Sequence, residues 1–240
     1  SRESAEACAR RFEIPFVTTD LAALLDRKDV DAVDLCVPNA LHHAFAIQAA
    51  EAGKHVIVEK PLTGYFGEPG DPEPIGDRVP RAKMLIGARK NVAAVLEAVR
   101  RNRVTLGYAE NWVYAPPIEK LRRLIQVSGG AILDLRAEEN HSGSHSPYSR
   151  QWRHAGGGTL LRMGVHPVGA VLHLKAFEGQ VRHGRPIRPV SVVADVAPLM
   201  RLEAARREQR KWIPADPEDV ENWGSVLIAF EDGTRAVVTV

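Results

Sequence analysis

The chain has 240 residues, of which 45% are hydrophobic and 26% are charged, as in an ordinary globular protein, and its formal net charge is +2. A chain of this length can bury one large core or two smaller ones. The charge gives no reason to expect a nucleic acid or a membrane as a partner, and no apolar stretch is long enough to span a bilayer. The two cysteines, Cys8 and Cys36, are typical of reduced, buried thiols in a cytoplasmic protein.

The two ends of the sequence predict a fragment of a longer protein. The chain opens on Ser1, inside an amphipathic pattern in which Ala5, Cys8, Ala9 and Phe12 recur at helical spacing. It closes on the strand-like run TRAVVTV, with nothing after it. We therefore expect that both termini were cut from a larger chain.

Strands alternate with helices up to about residue 112, which indicates a parallel sheet covered on both faces. Asp20 is the predicted N-cap of a short helix, and Gly53 is the predicted end of another. The segment 64–80 is rich in Gly, Pro and acidic residues, which predicts a surface loop without a packed element. The predicted helices are 2–12, the short one after Asp20, 41–52 and 85–101, and the predicted strands lie in 15–20, 31–37, 55–59 and 104–110.

Beyond residue 112 longer strands with few helices follow, which indicates an open, mainly antiparallel sheet. The predicted helices are 117–126 and 158–175, and the predicted strands are 131–139, 189–197, 224–231 and 234–240. The densest basic run, at 203–212, includes Glu203 and Glu208, which favours a solvated helix face over a binding patch.

The segment HVIVEKPLTG at 55–64 places two charges and a proline directly after a β-branched run. In open parallel sheets ligands bind beyond the carboxyl ends of the strands. A lysine held there is partly desolvated, which lowers its pKa and suits Lys60 to proton transfer. Glu59 can orient the lysine or balance its charge, and Pro61 can fix the backbone through a cis bond. A solvated Glu–Lys pair at a strand end is the alternative.

Three stretches of the sequence resemble the Gfo/Idh/MocA family of nicotinamide-dependent oxidoreductases. The run 31–63 is similar to a family strand with a Pro-Asn turn and a His, followed by a strand that ends in Glu-Lys-Pro. GGGTLLRMGVHPVGAVLHL at 156–174 resembles the glycine-rich entry to a helix that carries an active-site histidine, and GYAENWVYAP at 107–116 resembles the crossing between two domains. The resemblance implies an incomplete Rossmann-type, doubly wound parallel sheet over 1–112. A substrate-binding and oligomerisation α+β domain, truncated at its C-terminus, is implied over 113–240.

The same resemblance implies a site for a sugar, polyol or sugar-acid alcohol and for NAD or NADP. Lys60 matches the catalytic lysine, which exchanges a proton with the substrate hydroxyl while a hydride passes to the nicotinamide. His166 matches a histidine that assists from the opposite side, and Asn111 matches a substrate-site residue. The positions that match the nicotinamide end of the site are Pro38, Asn39, His42, Glu59, Lys60 and Pro61. His42 could instead only pack against the fold or cap a helix.

The chain departs from the family pattern at positions that bear on the substrate. Arg162 stands where many members have an Asp four residues before the histidine, Gly169 where another Asp often follows, and Val113 where many have Arg. Arg binds carboxylates in a bidentate fork. If Arg162 and His166 share one face of a helix, one turn apart, Arg162 is predicted to reach the cleft and bind an acidic substrate. The alternative is that Arg162 pairs with a local Asp or Glu.

The sequence contains less information about cofactor choice and metal binding than about the catalytic residues. No G-x-G-x-x-G occurs, and the resemblance implies that this fingerprint precedes Ser1, so NAD and NADP cannot be distinguished. His141 and His145 are close in sequence, but no Cys or carboxylate completes a metal set, so we predict no metal. The loop that holds them is predicted to contribute Tyr148, Arg150 or His154 to substrate contacts, with a solvated loop as the alternative.

Two other functions remain open within this interpretation. One is an NAD-dependent, redox-neutral glycosidase of the same family, and the other is a catalytically silent member that binds dinucleotide and acts in regulation. The predicted partners are a small-molecule substrate and, through the sheet of the second domain, further copies of the same chain.

Overall fold

The computed structural model describes residues 1–141, 143, 146–208 and 218–240, which form two sheets and their covering helices. The helices in these ranges are α1 (Arg2–Phe12), α2 (Leu21–Leu25), α3 (His42–Glu51), α4 (Ile75–Arg78), α5 (Arg81–Asn102), α6 (Pro116–Ser128), α7 (Trp152–Ala155), α8 (Thr159–Arg162), α9 (Val165–His183) and α10 (Glu203–Arg207). The strands are β1 (Ala32–Leu35), β2 (His55–Val58), β3 (Leu106–Tyr108), β4 (Asp134–Glu138), β5 (Pro189–Ala197), β6 (Trp223–Phe230) and β7 (Arg235–Thr239).

The first sheet is parallel, with its strands in the order β1-β2-β3. Its inward side chains, among them Val33, Val56 and Val58, pack with residues of α2, α3 and α5 into one core. The opposite face is not covered by the described residues, and Ile57 is 45% exposed there. The prediction of a parallel sheet is therefore confirmed, but burial alternates along its strands, so the expected cover on both faces is not observed.

The second sheet has the strand order β4-β7-β6-β5, in which β4 runs parallel to β7 and the other two pairings are antiparallel. Val171 of α9 packs on its inner face against Val226, Ile228 and Val238. The prediction of an open, mainly antiparallel sheet is confirmed. The domain boundary near residue 112 stays a prediction.

The segment 64–80 is not the unpacked surface loop that its composition predicts. Tyr65, Ile75 and Val79 are buried and form a core cluster with Trp152, which donates from its ring N–H to the carbonyl of Tyr65 at 2.9 Å. The Gly, Pro and acidic residues lie between these buried apolar residues, so the composition of the segment does not reveal that it is packed. The segment contains the short helix α4 and ties the loop after β2 to α7.

Two further local predictions have opposite outcomes. Asp20 caps α2 as predicted, because its carboxylate accepts a hydrogen bond from the backbone N–H of Ala22 at 2.9 Å. The stretch 15–20 forms no strand and ends in a turn, in which the Asp20 N–H donates to the Thr18 hydroxyl at 3.0 Å.

Cys8 and Cys36 are free thiols, as expected, but both are exposed rather than buried. In the basic run, α10 is mostly exposed, and residues 209–212 lie outside the described part of the chain. Among the described residues, no helix combines the length and the apolar character that crossing a bilayer requires.

Candidate active site at the carboxyl edge of the first sheet

The register of the first sheet brings the carboxyl ends of its three strands to one edge. Leu35 at the end of β1 pairs with Val58 at the end of β2, which in turn pairs with Tyr108 at the end of β3. The residues that follow these strands therefore emerge at one edge of the sheet, which is where open parallel sheets bind ligands.

Lys60 emerges from this edge on a cis Lys60–Pro61 peptide, in agreement with the predicted cis bond. Its side chain is half-buried, and its ammonium donates to the carbonyl oxygen of Arg162 at 2.9 Å. Burial lowers the pKa of Lys60 below its usual range, the carboxylates of Glu139 and Glu59 oppose this shift, and the charge of Arg162 adds to it. The lysine thus has the desolvation that the sequence predicted.

The acceptor for Lys60 exists because the predicted helix 158–175 is interrupted. α8 ends at Arg162 and α9 begins at Val165, and the N–H of His166 donates to Met163 O at 3.0 Å. In a continuous helix that N–H would bond to Arg162 O. The break leaves this carbonyl free for the lysine. It also means that Arg162 and His166 do not lie on one helix, contrary to the prediction.

Arg162 lines a cavity of about 140 Å³ that Lys60 also lines. One of its N–H groups donates to the carbonyl of Ser149 at 3.0 Å. Burial lowers the pKa of Arg162, with partial opposition from Tyr148 and Glu221. Among the described residues, no carboxylate forms an ion pair with Arg162, so the local pairing considered as an alternative is not observed there.

Asn39 and His42 connect the loops around the cavity. The ring of His42 is buried between two carbonyl oxygens, with Nδ1 2.8 Å from Pro61 O and Nε2 2.8 Å from Val37 O. It therefore links the exits of β1 and β2. The amide of Asn39 donates to Ala155 O at 3.0 Å and joins the same edge to α7. Glu59 accepts from the backbone N–H of Lys60 at 3.0 Å, which helps to fix the loop.

His166 is buried against a carboxylate that the sequence analysis did not identify. Its Nδ1 lies 2.5 Å from Oε1 of Glu110, which also accepts from the backbone N–H of Trp112 at 3.2 Å. The Trp112 ring lies beside the imidazole, with ring centroids 5.9 Å apart. Glu110 directly precedes Asn111 at the exit of β3, so a charged residue just beyond a strand end was the available signal.

The predicted site residues divide into those that line the cavity and those that do not. Pro38, Glu59, His42, Asn111 and His166 do not line it; Asn111 is exposed at the start of the 3₁₀ helix Asn111–Tyr114. His145 lies outside the described residues. Within those residues, no group of three or more His, Cys, Asp or Glu side chains is arranged to hold a metal. The cavity is lined by Asn39, Lys60, Pro61, His141, Tyr148, Arg162 and Met163.

Comparison with known proteins identifies the class of protein to which this fold and this edge belong. Residues 1–69 match the sequence profile of the GFO_IDH_MocA family, described as an oxidoreductase family with an NAD-binding Rossmann fold. Curated relatives named as a dehydrogenase and a reductase extend the similarity over most of the remaining chain. The chain belongs to the GFO_IDH_MocA oxidoreductase family.

Two curated relatives show the extent of the similarity. Levoglucosan dehydrogenase of Pseudarthrobacter phenanthrenivorans is 28% identical over 242 residues, which are 96% of this chain and 54% of the relative. The dTDP-3,4-didehydro-2,6-dideoxy-alpha-D-glucose 3-reductase of Streptomyces violaceoruber is 32% identical over 186 residues, 76% of this chain and 46% of the relative. The chain thus spans about half the length of the curated relatives that it matches.

Solved structures extend the similarity to the fold. Levoglucosan dehydrogenase in complex with NADH superposes with a TM-score of 0.71 at 25% identity and covers 100% of this chain and 55% of its own. GenD2 from gentamicin A biosynthesis, in complex with NAD, has a TM-score of 0.68 at 27% identity and covers 100% of this chain and 56% of its own.

Proposed function

We propose that this chain carries the nicotinamide end and the substrate-binding wall of an NAD- or NADP-dependent oxidoreductase. The reaction is the interconversion of a secondary alcohol and a ketone on a sugar, polyol or sugar acid. The observation that supports this most directly is Lys60, half-buried at the carboxyl edge of a parallel sheet, with a lowered pKa and a cavity in front of it. The names of the relatives, a levoglucosan dehydrogenase and a dTDP-sugar reductase, support a carbohydrate substrate.

The residues at this edge fit the nicotinamide end of a dinucleotide. The cavity combines the apolar walls of Pro61 and Met163 with the amide of Asn39 and the amine of Lys60, a donor set suited to a flat, weakly polar ring next to a reacting hydroxyl. Pro38, His42 and Glu59 would support this wall from the loops behind it. No G-x-G-x-x-G occurs in the 240 residues, so we assign no residue to the pyrophosphate.

The chemistry of the chain's own residues is proton transfer and orientation. When bound, the nicotinamide supplies the acceptor or donor of a hydride. Lys60 as the free amine accepts the hydroxyl proton of the alcohol, and as the ammonium returns a proton to the ketone oxygen. His166 does not line this cavity, and we assign it as the second member of the acid–base pair on the resemblance to the family. Asn111 and Tyr148 contribute to the binding of the substrate.

Within the carbohydrate class, the cavity favours a substrate with an acidic group. Lys60 and Arg162 place two cationic side chains on one small cavity, and Arg162 has no ion-pair partner among the described residues. Arg162 is half-buried and, in the part of the chain that the structure describes, has only the more distant charge of Glu221 to balance it, so an incoming carboxylate would supply a direct partner in a bidentate contact. We therefore propose sugar acids, or other hydroxy acids, as the preferred substrates.

The proposal is tested by incubating the purified protein with NAD and with NADP and a panel of polyols, neutral sugars and sugar acids, and following reduced cofactor at 340 nm. Formation of reduced cofactor with a sugar acid is the expected result. Release of a free sugar from a glycoside without net reduction would instead indicate the redox-neutral glycosidase. Cofactor binding without any turnover on the panel would indicate the silent, regulatory member.

A further inference from the structure

The geometry points to Glu110 as the residue that sets the tautomer of His166, a role that no motif of the sequence assigned. Glu110 Oε1 lies 2.5 Å from His166 Nδ1, and the two residues are only 5% and 7% exposed. An ionised carboxylate can only accept, so this contact requires the proton on Nδ1. Among the described residues nothing is hydrogen-bonded to Nε2, which leaves that nitrogen for the substrate. Only the catalytic consequence of this role rests on the proposed function. The effect of Glu110 on the tautomer does not.

Glu110 and the ring of His166 are both contacted by Trp112. Its Oε1 accepts from the backbone N–H of Trp112 at 3.2 Å, so the carboxylate is fixed by the start of the 3₁₀ helix that follows β3. The Trp112 ring lies against the imidazole, 5.9 Å between centroids and tilted by 53°. The carboxylate and the ring are therefore both oriented by one short segment.

The second carboxylate oxygen shows why α9 has a glycine one turn after the histidine. A Cβ atom built at Gly169 would lie 2.8 Å from Glu110 Oε2 and 3.2 Å from its Cδ. The carboxyl group thus fills the volume in which a side chain at residue 169 would begin. Oε2 is buried and has no hydrogen-bond partner in the described part of the chain.

This packing means that one carboxylate fits beside His166, supplied either from the exit of β3 or from position 169 of α9. In this chain the strand supplies it, and the helix position is empty. A side chain at 169 and a glutamate at 110 exclude each other by contact, and two carboxylates there would also repel each other. The two positions should therefore behave as alternatives that compensate for each other.

The test uses four variants: Glu110→Ala, Gly169→Asp, the double variant Glu110→Ala/Gly169→Asp, and Glu97→Ala as a control that removes an exposed carboxylate from α5. The tautomer of His166 is read from the ¹⁵N chemical shifts of its ring, assigned by comparison with His166→Gln. Turnover of the best substrate is measured in parallel, and the unfolding midpoint of each variant verifies that it is folded.

We expect the Nδ1–H tautomer in the wild type and in the control. Glu110→Ala should lose this preference, and its kcat should fall about 100-fold, within the range for a displaced acid–base group, with little change in KM. Gly169→Asp alone should also be impaired. The double variant should regain the Nδ1–H tautomer, and its kcat should be at least tenfold higher than that of Glu110→Ala.

A folded Glu110→Ala variant that keeps the Nδ1–H tautomer and wild-type turnover would overturn the role of Glu110. A folded double variant without the Nδ1–H tautomer would overturn it as well. This second criterion also decides the case in which Glu110→Ala alone does not fold. A wild-type protein without oxidoreductase activity would instead refute the proposed function, and the ring shifts would still decide the role of Glu110.

Discussion

Lys60 is subject to two opposing influences that together determine how readily it releases its proton. Burial lowers its pKa, whereas the carboxylates of Glu139 and Glu59 raise it. The carbonyl of Arg162, at 2.9 Å, also favours the charged amine, because a charged donor forms the stronger hydrogen bond. A lysine in this balance can donate and accept protons within one catalytic cycle.

We predict that Lys60→Ala lowers kcat by about two to four orders of magnitude, the range for loss of a general acid–base group. Binding of the dinucleotide should stay near normal, because the ring walls at Pro61 and Met163 are unaffected. Steady-state turnover and titration of the cofactor by fluorescence check the two parts. An activity within a few-fold of the wild type would remove Lys60 from the mechanism.

The acid–base role of Lys60 also predicts a pH dependence. Alcohol oxidation needs the free amine, so its kcat/KM should rise with pH through the lowered pKa of Lys60, and ketone reduction should fall over the same interval. Glu139→Gln removes the carboxylate that most raises this pKa, so the rising limb should move to lower pH. Glu138→Gln, one residue away on an exposed position, is the matched control and should leave the limb in place. Identical profiles for both variants would contradict the assignment.

Arg162 provides a separate prediction about substrate class. Arg162→Met keeps the bulk of the side chain and removes its charge. Acidic substrates should lose about 1.5–3 kcal/mol of transition-state binding, the range for hydrogen bonds to charged groups, while neutral polyols should change little. The ratio of kcat/KM values for the two classes is the measurement, with Arg100→Met on the exposed face of α5 as control. Equal losses for both classes, or none for either, would refute the role of Arg162.

At the scale of elements, α9 is fastened to the second sheet by a buried charge network. Lys175 is fully buried and donates to Glu178 Oε2 at 2.6 Å and to Asp232 Oδ2 at 2.8 Å, in the turn between β6 and β7. Burial opposes ionisation of Asp232, but the hydrogen bonds from Lys175 and Thr234 dominate and lower the pKa of this carboxyl to about 2. The network fixes the helix whose first turn carries His166.

We predict that Lys175→Met lowers the free energy of unfolding by about 1.5–3 kcal/mol, because it removes the buried ammonium that donates to both carboxylates, while Glu178 keeps Arg182 as its partner. Chemical denaturation should show a lower midpoint at an unchanged slope. Arg207→Ala removes one partner of an exposed pair on α10 and should shift the free energy by less than about 0.5 kcal/mol. Losses of the same size in both variants would show that burial of the network does not matter.

The alternation of strands and helices and the three resembling stretches were enough to predict the parallel sheet, the mainly antiparallel sheet and the position of Lys60. The break between α8 and α9 was not predictable, because apolar periodicity continues through Met163 and Gly164. The exit of β3 marks Glu110 as a charged residue at the edge of the sheet, but its contact with His166 joins positions 56 residues apart and could not be predicted from either segment. Tyr65 and Ile75 are buried by Trp152, a partner far away in sequence, so their own segment did not reveal it.

At the scale of the whole molecule, the outer face of the second sheet carries an apolar row. Val193 pairs with Leu227, and Leu227 pairs with Val237, so the three side chains lie side by side across β5, β6 and β7. They are 69%, 44% and 37% exposed, whereas the opposite face of the sheet is packed under α9. An exposed apolar row of this kind is typical of a contact with another protein surface.

We predict that the protein self-associates through this face at micromolar concentration. Leu227→Lys should convert the oligomer to a monomer, because it places an unpaired charge in the middle of the contact. Leu96→Lys, on the exposed side of α5, is the control and should leave the assembly intact. Sedimentation velocity measures both. A wild-type protein that sediments as a monomer would contradict the prediction.

The hydrogen bond between Lys60 and the carbonyl of Arg162 has a consequence for timing. It joins a loop of the first sheet to a helix end that packs on the second sheet, so the proton affinity of the lysine depends on the spacing between the two halves. If the halves separate, water reaches the amine and relieves the desolvation that lowers its pKa, so the ammonium is favoured; if they approach, burial favours the free amine. A ligand that draws the halves together or apart would thus adjust the acid–base group before any bond in the substrate changes.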